Sequence, residues 1–142
     1  MKTLFAITTL DQPNYTRQTL NSIYNTPNID IELWDDCSKE PRVLQKLGQM
    51  YGAKFISKKT PGGLTDTWNR IYKRFKDSDY NNCFIINNDI VSTPRAITEM
   101  IKALQTNTLI VPLSSINSVS GFMEQTTYRY GIPDIMANNP FQ

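Results

Sequence analysis

The chain has 142 residues, of which 39% are hydrophobic and 20% are charged, and its formal net charge is +2. This length suits one domain with one hydrophobic core, and the composition is typical of an ordered globular protein rather than a disordered one. The small, scattered positive charge predicts no nucleic-acid partner, and no apolar run approaches the roughly 20 residues of a membrane span. The short, polar amino terminus is unlike a signal peptide, so we expect a cytoplasmic protein.

The first half of the chain alternates between strand-like and helix-like patterns. An apolar run at 4–10 predicts a strand, and the helical spacing of apolar residues at 15–24 predicts a helix. An alternating pattern at 29–34 predicts a second strand, after which Ser38 can begin a helix. That helix ends at Gly52, and its apolar face comprises Val43, Leu44, Leu47, Met50 and Tyr51.

The second half continues the alternation. Residues 55–56 predict a third strand, and an apolar run at 83–86 predicts a central buried strand. Thr93 followed by Pro94 is typical of a helix start, and 109–113 predicts a fifth strand. Between the third and fourth strands, Pro61-Gly62-Gly63 precedes the clearest helix, whose shared face comprises Leu64, Trp68, Ile71, Tyr72 and Phe75.

Strands that alternate with helices of about ten residues predict the α/β class, built from right-handed βαβ units. We expect a single Rossmann-like domain with a mostly parallel sheet and helices on both faces. Residues 1–113 would form its core. Periodicity fades in 114–142, which within the same domain is open to interpretation as a partial strand, an active-site loop or an acceptor-binding flap.

Histidine is absent from the sequence. This excludes Ser-His-Asp and Cys-His catalysis as well as His-ligated metals. Carboxylates and amides must therefore supply any chemistry, and a bound metal would need oxygen ligands, which favours Mg²⁺ or Mn²⁺.

Polar residues follow the predicted strands at the edge where ligands bind in parallel α/β sheets. They are Thr8-Thr9-Leu10-Asp11, Asp35-Asp36, Gly62-Gly63 and Asn87-Asn88-Asp89. Each segment also has a structural interpretation, as a helix cap, a tight turn or a polar turn. The GxGxxG and GxxxxGK[ST] motifs of other nucleotide-binding α/β proteins do not occur, and a receiver domain would carry its acidic pair after the first strand.

Four segments in this order and spacing resemble the GT-A fold glycosyltransferases, in particular the large family 2 of inverting enzymes. The likeness covers about residues 4–113. The segments are LFAITTLDQPNYTRQTLNSIY, ELWDDCS with its acidic pair and serine, GG…WN leading a helix, and IINNDIVSTP, which is similar to the family's DxD-type metal motif.

The resemblance implies a role for each segment in binding a nucleotide-diphosphate sugar. Thr8, Thr9, Leu10 and Asp11 would line the base and ribose pocket, and Asp36 would accept a hydrogen bond from uracil N3–H. Gly62 and Gly63 would let the backbone approach the donor, and Asn69 would brace the site. Asn87 and Asn88 would contact the nucleotide sugar, and Asp89 would bind a Mn²⁺ or Mg²⁺ ion.

The chain departs from the family pattern at three places. Asn87 replaces the first aspartate of the metal motif, which leaves fewer charges on the ion. Trp68 stands where many relatives carry arginine, and its apolar spacing favours a core role. Phosphate neutralisation would then fall to Lys58, Lys59 or Arg70, although the Lys58-Lys59 pair also fits a solvated surface. The third departure concerns the catalytic base, which relatives carry well after the metal motif. Only Glu124 and Asp134 remain there as acidic residues; Glu124 is the candidate, and a surface role is the alternative for either.

The resemblance implies a metal-dependent glycosyltransferase that moves a sugar, with UDP as the expected carrier, to a glycan, lipid or protein acceptor. The alternative is a non-catalytic nucleotide-sugar-binding module, or the donor-binding domain of a larger transferase. A domain that binds the donor without turning it over would favour this alternative.

Overall fold

A computed structural model describes residues 1–104 of the chain. The chain divides into two compact units, Met1–Ile97 and Thr98–Gln142. Strands and helices alternate in the order β1 (Thr3–Thr9), α1 (Pro13–Ile23), β2 (Ile29–Asp35), α2 (Pro41–Met50), β3 (Lys54–Ser57), α3 (Gly63–Lys76), β4 (Asn82–Asn87) and α4 (Pro94–Leu104). The predicted strand at 109–113 and the segment 114–142 lie outside the described residues.

The strands of Met1–Ile97 form one parallel sheet in the order β3-β2-β1-β4. β1 therefore lies between β2 and β4, with Thr8 opposite both Trp34 and Asn87. This confirms the predicted α/β class and parallel sheet. Because all described strands run the same way, their carboxyl ends share one edge.

Helices cover both faces of the sheet, as predicted. On one face, a Cβ added to Gly48 of α2 would lie 3.7 Å from Leu33 of β2. On the other, Ile71 of α3 packs in a cluster with Leu4, Ala6 and Trp34. The chain changes face between β3 and β4, because right-handed crossovers in opposite directions along a sheet place their helices on opposite sides.

Two of the predicted helix boundaries are confirmed. Gly52 follows α2 with a φ of 69°, a left-handed conformation that costs glycine little. Thr93 caps α4, since its Oγ1 accepts a hydrogen bond from the Ala96 N–H at 3.1 Å. The prediction that Ser38 begins a helix is wrong: α2 starts at Pro41, because Ser38 is bound to the Asp35 carboxylate.

The predicted apolar faces of α2 and α3 are only partly buried. On α3, Ile71 is fully buried, whereas Trp68 is 43% and Tyr72 62% exposed. The interpretation of Trp68 as a core residue is therefore wrong. The helix turns Thr67 inward instead, and its hydroxyl can be buried because it donates to the Gly63 carbonyl at 3.1 Å. Leu64 of α3, and Val43 and Met50 of α2, are exposed as well.

Strand burial follows from this helix arrangement. Glu32 of β2 is 2% exposed, although it alternates with apolar residues in the sequence. Arg74 of α3 lies 3.3 Å from its carboxylate, and the Trp34 indole N–H donates to it at 3.1 Å. The sequence predicts β4 to be central and buried. Among the four described strands, β4 instead lies at one side of the sheet, and most of its residues are half-buried. No helix within 1–104 has the length and apolar character that crossing a bilayer requires.

Candidate functional site

The carboxyl ends of β1, β2 and β4 bring three of the predicted segments side by side. The backbone N–H of Asp36 donates to the Thr9 carbonyl at 3.0 Å. On the other side of β1, the Thr8 hydroxyl donates to Asn87 Oδ1 at 3.2 Å. Residues separated by more than 70 positions in the chain thus meet at one edge, where ligands of parallel α/β sheets bind.

The loops that follow β1 and β2 are joined by Asp35 and Ser38. The fully buried Asp35 carboxylate accepts hydrogen bonds from the N–H and hydroxyl of Ser38 and from the Ser57 hydroxyl at 2.9 Å. Ser38 Oγ in turn accepts the Asp11 N–H at 2.6 Å, and Asp11 Oδ1 accepts the Lys39 N–H at 2.8 Å. Asp35 therefore holds the loops together, which leaves Asp36 as the member of the acidic pair near solvent.

Unusual backbone conformations occur in both of these loops. Within residues 1–104, four non-glycine residues have positive φ, and Asp11 (56°), Gln12 (55°) and Cys37 (64°) lie directly after β1 or β2. Such conformations cost roughly 1–3 kcal/mol each and persist where the surrounding contacts enforce them. The Asp35 and Ser38 contacts supply that enforcement here.

Asp36 lies in a chain of charged side chains that also links β3 to α3. Lys58, whose side chain is 2% exposed, places Nζ 2.5 Å from Asp36 Oδ1 and 2.9 Å from Asp66 Oδ2. Arg70 Nε reaches the same Asp66 oxygen at 3.0 Å. The interpretation of Lys58 as solvated surface is wrong, because it is buried between two carboxylates. Lys59 is exposed and stays a candidate for phosphate contact.

Ionisation in this cluster is mutually supported. Burial opposes ionisation of Asp36, but the hydrogen bonds from Lys58 and the Gly62 N–H outweigh it and lower the pKa of Asp36 below 3.8. The hydrogen bond from Lys58 likewise lowers the pKa of Asp66. For Lys58, burial would lower the pKa, but Asp36 and Asp66 raise it above 10.5. All three groups are therefore charged at neutral pH.

These pKa shifts predict how stability depends on pH. Because the pKa of Asp66 is lower in the folded state, its stabilising contribution is complete above pH 3.8 and is lost as pH falls through the folded-state value. The stability difference between wild type and Asp66→Asn should thus be present at about pH 6 and shrink toward about pH 2. Urea unfolding followed by tryptophan fluorescence measures it. Asp79→Asn, at an 81% exposed side chain, is the control, and a difference independent of pH would contradict the prediction.

The two glycines at the start of α3 serve different purposes. Gly63 has a φ of 75°, which disfavours any side chain. A Cβ on Gly62 would lie 2.4 Å from Asp66 Oδ2, so the missing side chain makes room for that carboxylate. The Gly62 N–H also donates to Asp36 Oδ1 at 3.0 Å. The predicted approach of this backbone to a donor stays a prediction.

Asn88 joins the end of β4 to β1 and α1. Its side-chain nitrogen Nδ2 donates to Thr9 Oγ1 at 3.3 Å and to Thr16 Oγ1 at 3.1 Å, and its backbone carbonyl accepts the Thr19 hydroxyl at 2.7 Å. Both α1 threonines are fully buried. Asn88 and Thr9 therefore have a structural role, and their contacts with a nucleotide stay predictions.

Asp89 follows this anchored residue and is exposed. No group of three or more His, Cys, Asp or Glu side chains placed to hold a metal ion occurs within the described part of the chain. Mg²⁺ and Mn²⁺ often take only one or two protein carboxylates and fill the remaining positions with phosphate oxygens and water. The donor set thus fits an ion that arrives with a diphosphate better than an ion held by protein alone.

The remaining predicted site residues are less connected. Leu10 is 53% exposed, and Asn69 is exposed on α3, where its side chain makes no hydrogen bond to another residue of 1–104. Glu124 lies outside the described residues. A cavity of about 320 Å³ adjoins the edge, but of the predicted residues it includes only Asp11; it is lined by Asp11, Pro13, Ser38, Lys39, Glu40, Val43 and Leu44.

Asp66 is the site residue that the sequence analysis missed. It lies one helical turn into α3, where nothing in the local pattern distinguishes it from other polar residues of an exposed helix face. The available signal was Lys58, which directly follows β3 and so stands at the same edge as Asp36. A buried lysine there requires nearby carboxylates.

The sheet order and helix arrangement belong to a known class: the chain has the GT-A fold. The crystal structure of S. aureus TarS 1-349 matches with a TM-score of 0.60 and 16% identity over 76% of this chain and 33% of that one. The crystal structure of TarS 1-349 in complex with UDP matches with a TM-score of 0.61 and 15% identity, over 76% of this chain and 33% of that one. The crystal structure of TarS 1-349 in complex with UDP-GlcNAc matches with a TM-score of 0.55 and 13% identity, over 76% of this chain and 32% of that one.

This chain therefore spans about one third of the length of these TarS structures. No family model matches the sequence, and neither does any curated protein.

Proposed function

We propose that the chain binds a nucleotide-diphosphate sugar at the carboxyl edge of its sheet and transfers the sugar to an acceptor hydroxyl with divalent-metal assistance. The observation that carries the proposal is the meeting of Thr8, Asp36 and Asn87 at the ends of three adjacent strands. The fold supports it, because TarS, which shares the fold, has been crystallised with UDP and with UDP-GlcNAc.

Each part of the edge has a task in this proposal. Asp36, ionised and near solvent, accepts a hydrogen bond from the base, for which uracil N3–H is the natural donor. Thr8 and the loop through Leu10 and Asp11 line the base and ribose, and Lys59 is free to approach the phosphates. Gly62 and Gly63 allow the backbone to pass close to the donor.

Asp89 is the proposed metal ligand, with Mn²⁺ or Mg²⁺ as the ion. When bound, such an ion neutralises the charge that grows on the departing diphosphate. An inverting transfer also needs a carboxylate that takes the proton of the acceptor hydroxyl, and Glu124 is the proposed base. The acceptor is a glycan, lipid or protein hydroxyl.

A thermal-shift screen tests the proposal. A ligand that binds only the folded state raises the melting temperature according to its affinity and concentration. UDP and UDP-sugars with Mn²⁺ should raise it more than GDP, CDP or dTDP and their sugars do. No shift with any nucleotide diphosphate would refute the proposal.

Removal of Asp89 tests the metal assignment separately. Mn²⁺ should strengthen UDP binding to the wild type, and Asp89→Ala should lose this gain, about tenfold or more, because the ion loses its protein carboxylate. Isothermal titration with UDP, with and without Mn²⁺, measures the effect. Asp77→Ala, at an exposed aspartate after α3, is the control. An unchanged gain in Asp89→Ala would show that the ion is held elsewhere.

A second candidate function is a module that binds a nucleotide sugar without transferring it. The observation that favours it is the Asn87-Asn88-Asp89 segment, which offers a metal ion a single carboxylate. Release of UDP from a UDP-sugar in the presence of Mn²⁺ distinguishes the two functions. Binding without release, with a range of acceptor hydroxyl compounds present, would support the module.

A further inference from the structure

Lys58 is a buried charged group at the candidate site, and the proposed mechanism gives it no task. Its side chain is 2% exposed, and its ammonium lies between Asp36 Oδ1 at 2.5 Å and Asp66 Oδ2 at 2.9 Å. It is also 3.5 Å from the Gly63 carbonyl. An ammonium removed from water is stable only where such acceptors surround it, so its position is tightly determined.

Asp66 fixes this arrangement from the side of α3. Its carboxylate occupies the space that a Gly62 side chain would fill and also binds Arg70, one helical turn further on. A carboxylate in the first turn of a helix is further stabilised by the helix dipole. Lys58 is therefore held by a rigid element rather than by a flexible loop.

The contacts of Asp36 determine which of its two carboxylate oxygens can meet a ligand. Lys58 and the Gly62 N–H both bind Oδ1. Neither of these contacts uses Oδ2, and the Gly63 N–H also interacts with the carboxylate. Oδ2 is therefore the oxygen left to meet a ligand, and it can accept a hydrogen bond but has no proton to donate.

We propose that Lys58 and Asp66 form a positioning pair that sets base selectivity by holding Asp36 through Oδ1. The inference rests on the proposed function. With Oδ1 occupied, Asp36 presents an acceptor to the base edge and favours a ring N–H. Uracil carries such a group at N3. Cytosine carries a lone pair at N3, which a carboxylate oxygen repels.

The test compares UDP with CDP, because these ligands differ only at this base edge. The wild type should bind UDP about tenfold or more tightly than CDP, the scale of one hydrogen bond to a charged group. Lys58→Met should reduce this ratio toward one, because Asp36 is then free to turn. A purely structural role would weaken both ligands alike and leave the ratio unchanged.

Lys2→Met is the matched control, because Lys2 also lies near two carboxylates, at 3.6 and 3.5 Å, but precedes β1 at the opposite edge of the sheet. It should keep the wild-type ratio. Asp66→Asn is the second variant: Asp66 is 38% exposed, so this change preserves folding while loosening Lys58. Asp66→Asn should lower the UDP to CDP affinity ratio by a smaller factor than Lys58→Met does. If Lys58→Met does not unfold cooperatively, the ratio in Asp66→Asn tests the inference.

The outcomes separate the inference from the proposed function. A wild type that binds UDP, together with folded variants that keep its UDP to CDP ratio, overturns the inference and leaves the proposed function standing. A wild type that binds neither nucleotide overturns both. A reduced ratio in Lys58→Met and Asp66→Asn, but not in Lys2→Met, supports the positioning pair.

Discussion

Lys58→Met is expected to lower the free energy of unfolding by about 3–5 kcal/mol, the usual cost of removing one partner from a buried ion pair. Methionine fills a similar volume, so the loss comes from charge rather than packing. Asp36 would lose the ammonium at 2.5 Å, and Asp66 would retain only Arg70. Two carboxylates near one another would then face the space left by the ammonium.

Equilibrium unfolding in urea at neutral pH measures this change. Lys2→Met is again the control: the Lys2 side chain is 49% exposed, and exposed ion pairs contribute at most about 1 kcal/mol. Equal losses of unfolding free energy in Lys58→Met and Lys2→Met would show that Lys58 contributes no more than a surface charge. The buried cluster would then not stabilise the site.

Asp36→Asn is expected to weaken UDP binding by about 10- to 100-fold, the value of a hydrogen bond to a charged group. Asparagine keeps the shape of the side chain. Because Lys58 and the Gly62 N–H both donate to one oxygen, the amide oxygen must face them, and the NH₂ group takes the other position. The NH₂ group is a hydrogen-bond donor, as uracil N3–H is, so the two groups would face each other without an acceptor between them.

The same substitution should improve binding of CDP relative to UDP, since cytosine N3 accepts a hydrogen bond. Titration calorimetry with both nucleotides in the presence of Mn²⁺ measures the change. Asp30→Asn, at an exposed residue near the start of β2, is the control and should bind as the wild type does. Unchanged affinity for both nucleotides in Asp36→Asn would show that Asp36 does not contact the base.

Local patterns predicted the succession of elements because they depend on neighbours in the chain. The alternation of apolar runs with helical spacing gave the α/β class. Thr93 marked a helix start through its side-chain cap, and Gly52 marked a helix end through its backbone conformation. The rule that parallel strands end at one edge placed Asp36 near Thr9 and Asn87 near Thr8.

The same patterns failed where a residue's environment depends on the opposite element. Trp68 and Ile71 share an apolar helical face, yet only Ile71 is buried, because the position of α3 on the sheet chooses the inward residues. Glu32 reads as a solvent-facing residue of a strand, but α3 covers it and supplies Arg74. Neither outcome is determined by residues nearby in sequence.

What the sequence by itself determined is therefore the order of strands and helices and the set of polar residues at one edge. The tertiary structure alone decided which of these residues pair. It buried Asp35 with Ser38, left Asp36 near solvent, and placed Lys58 between Asp36 and Asp66. The physical reason is that the strength of a charge or hydrogen bond depends on burial and on partners, and both come from segments distant in the chain.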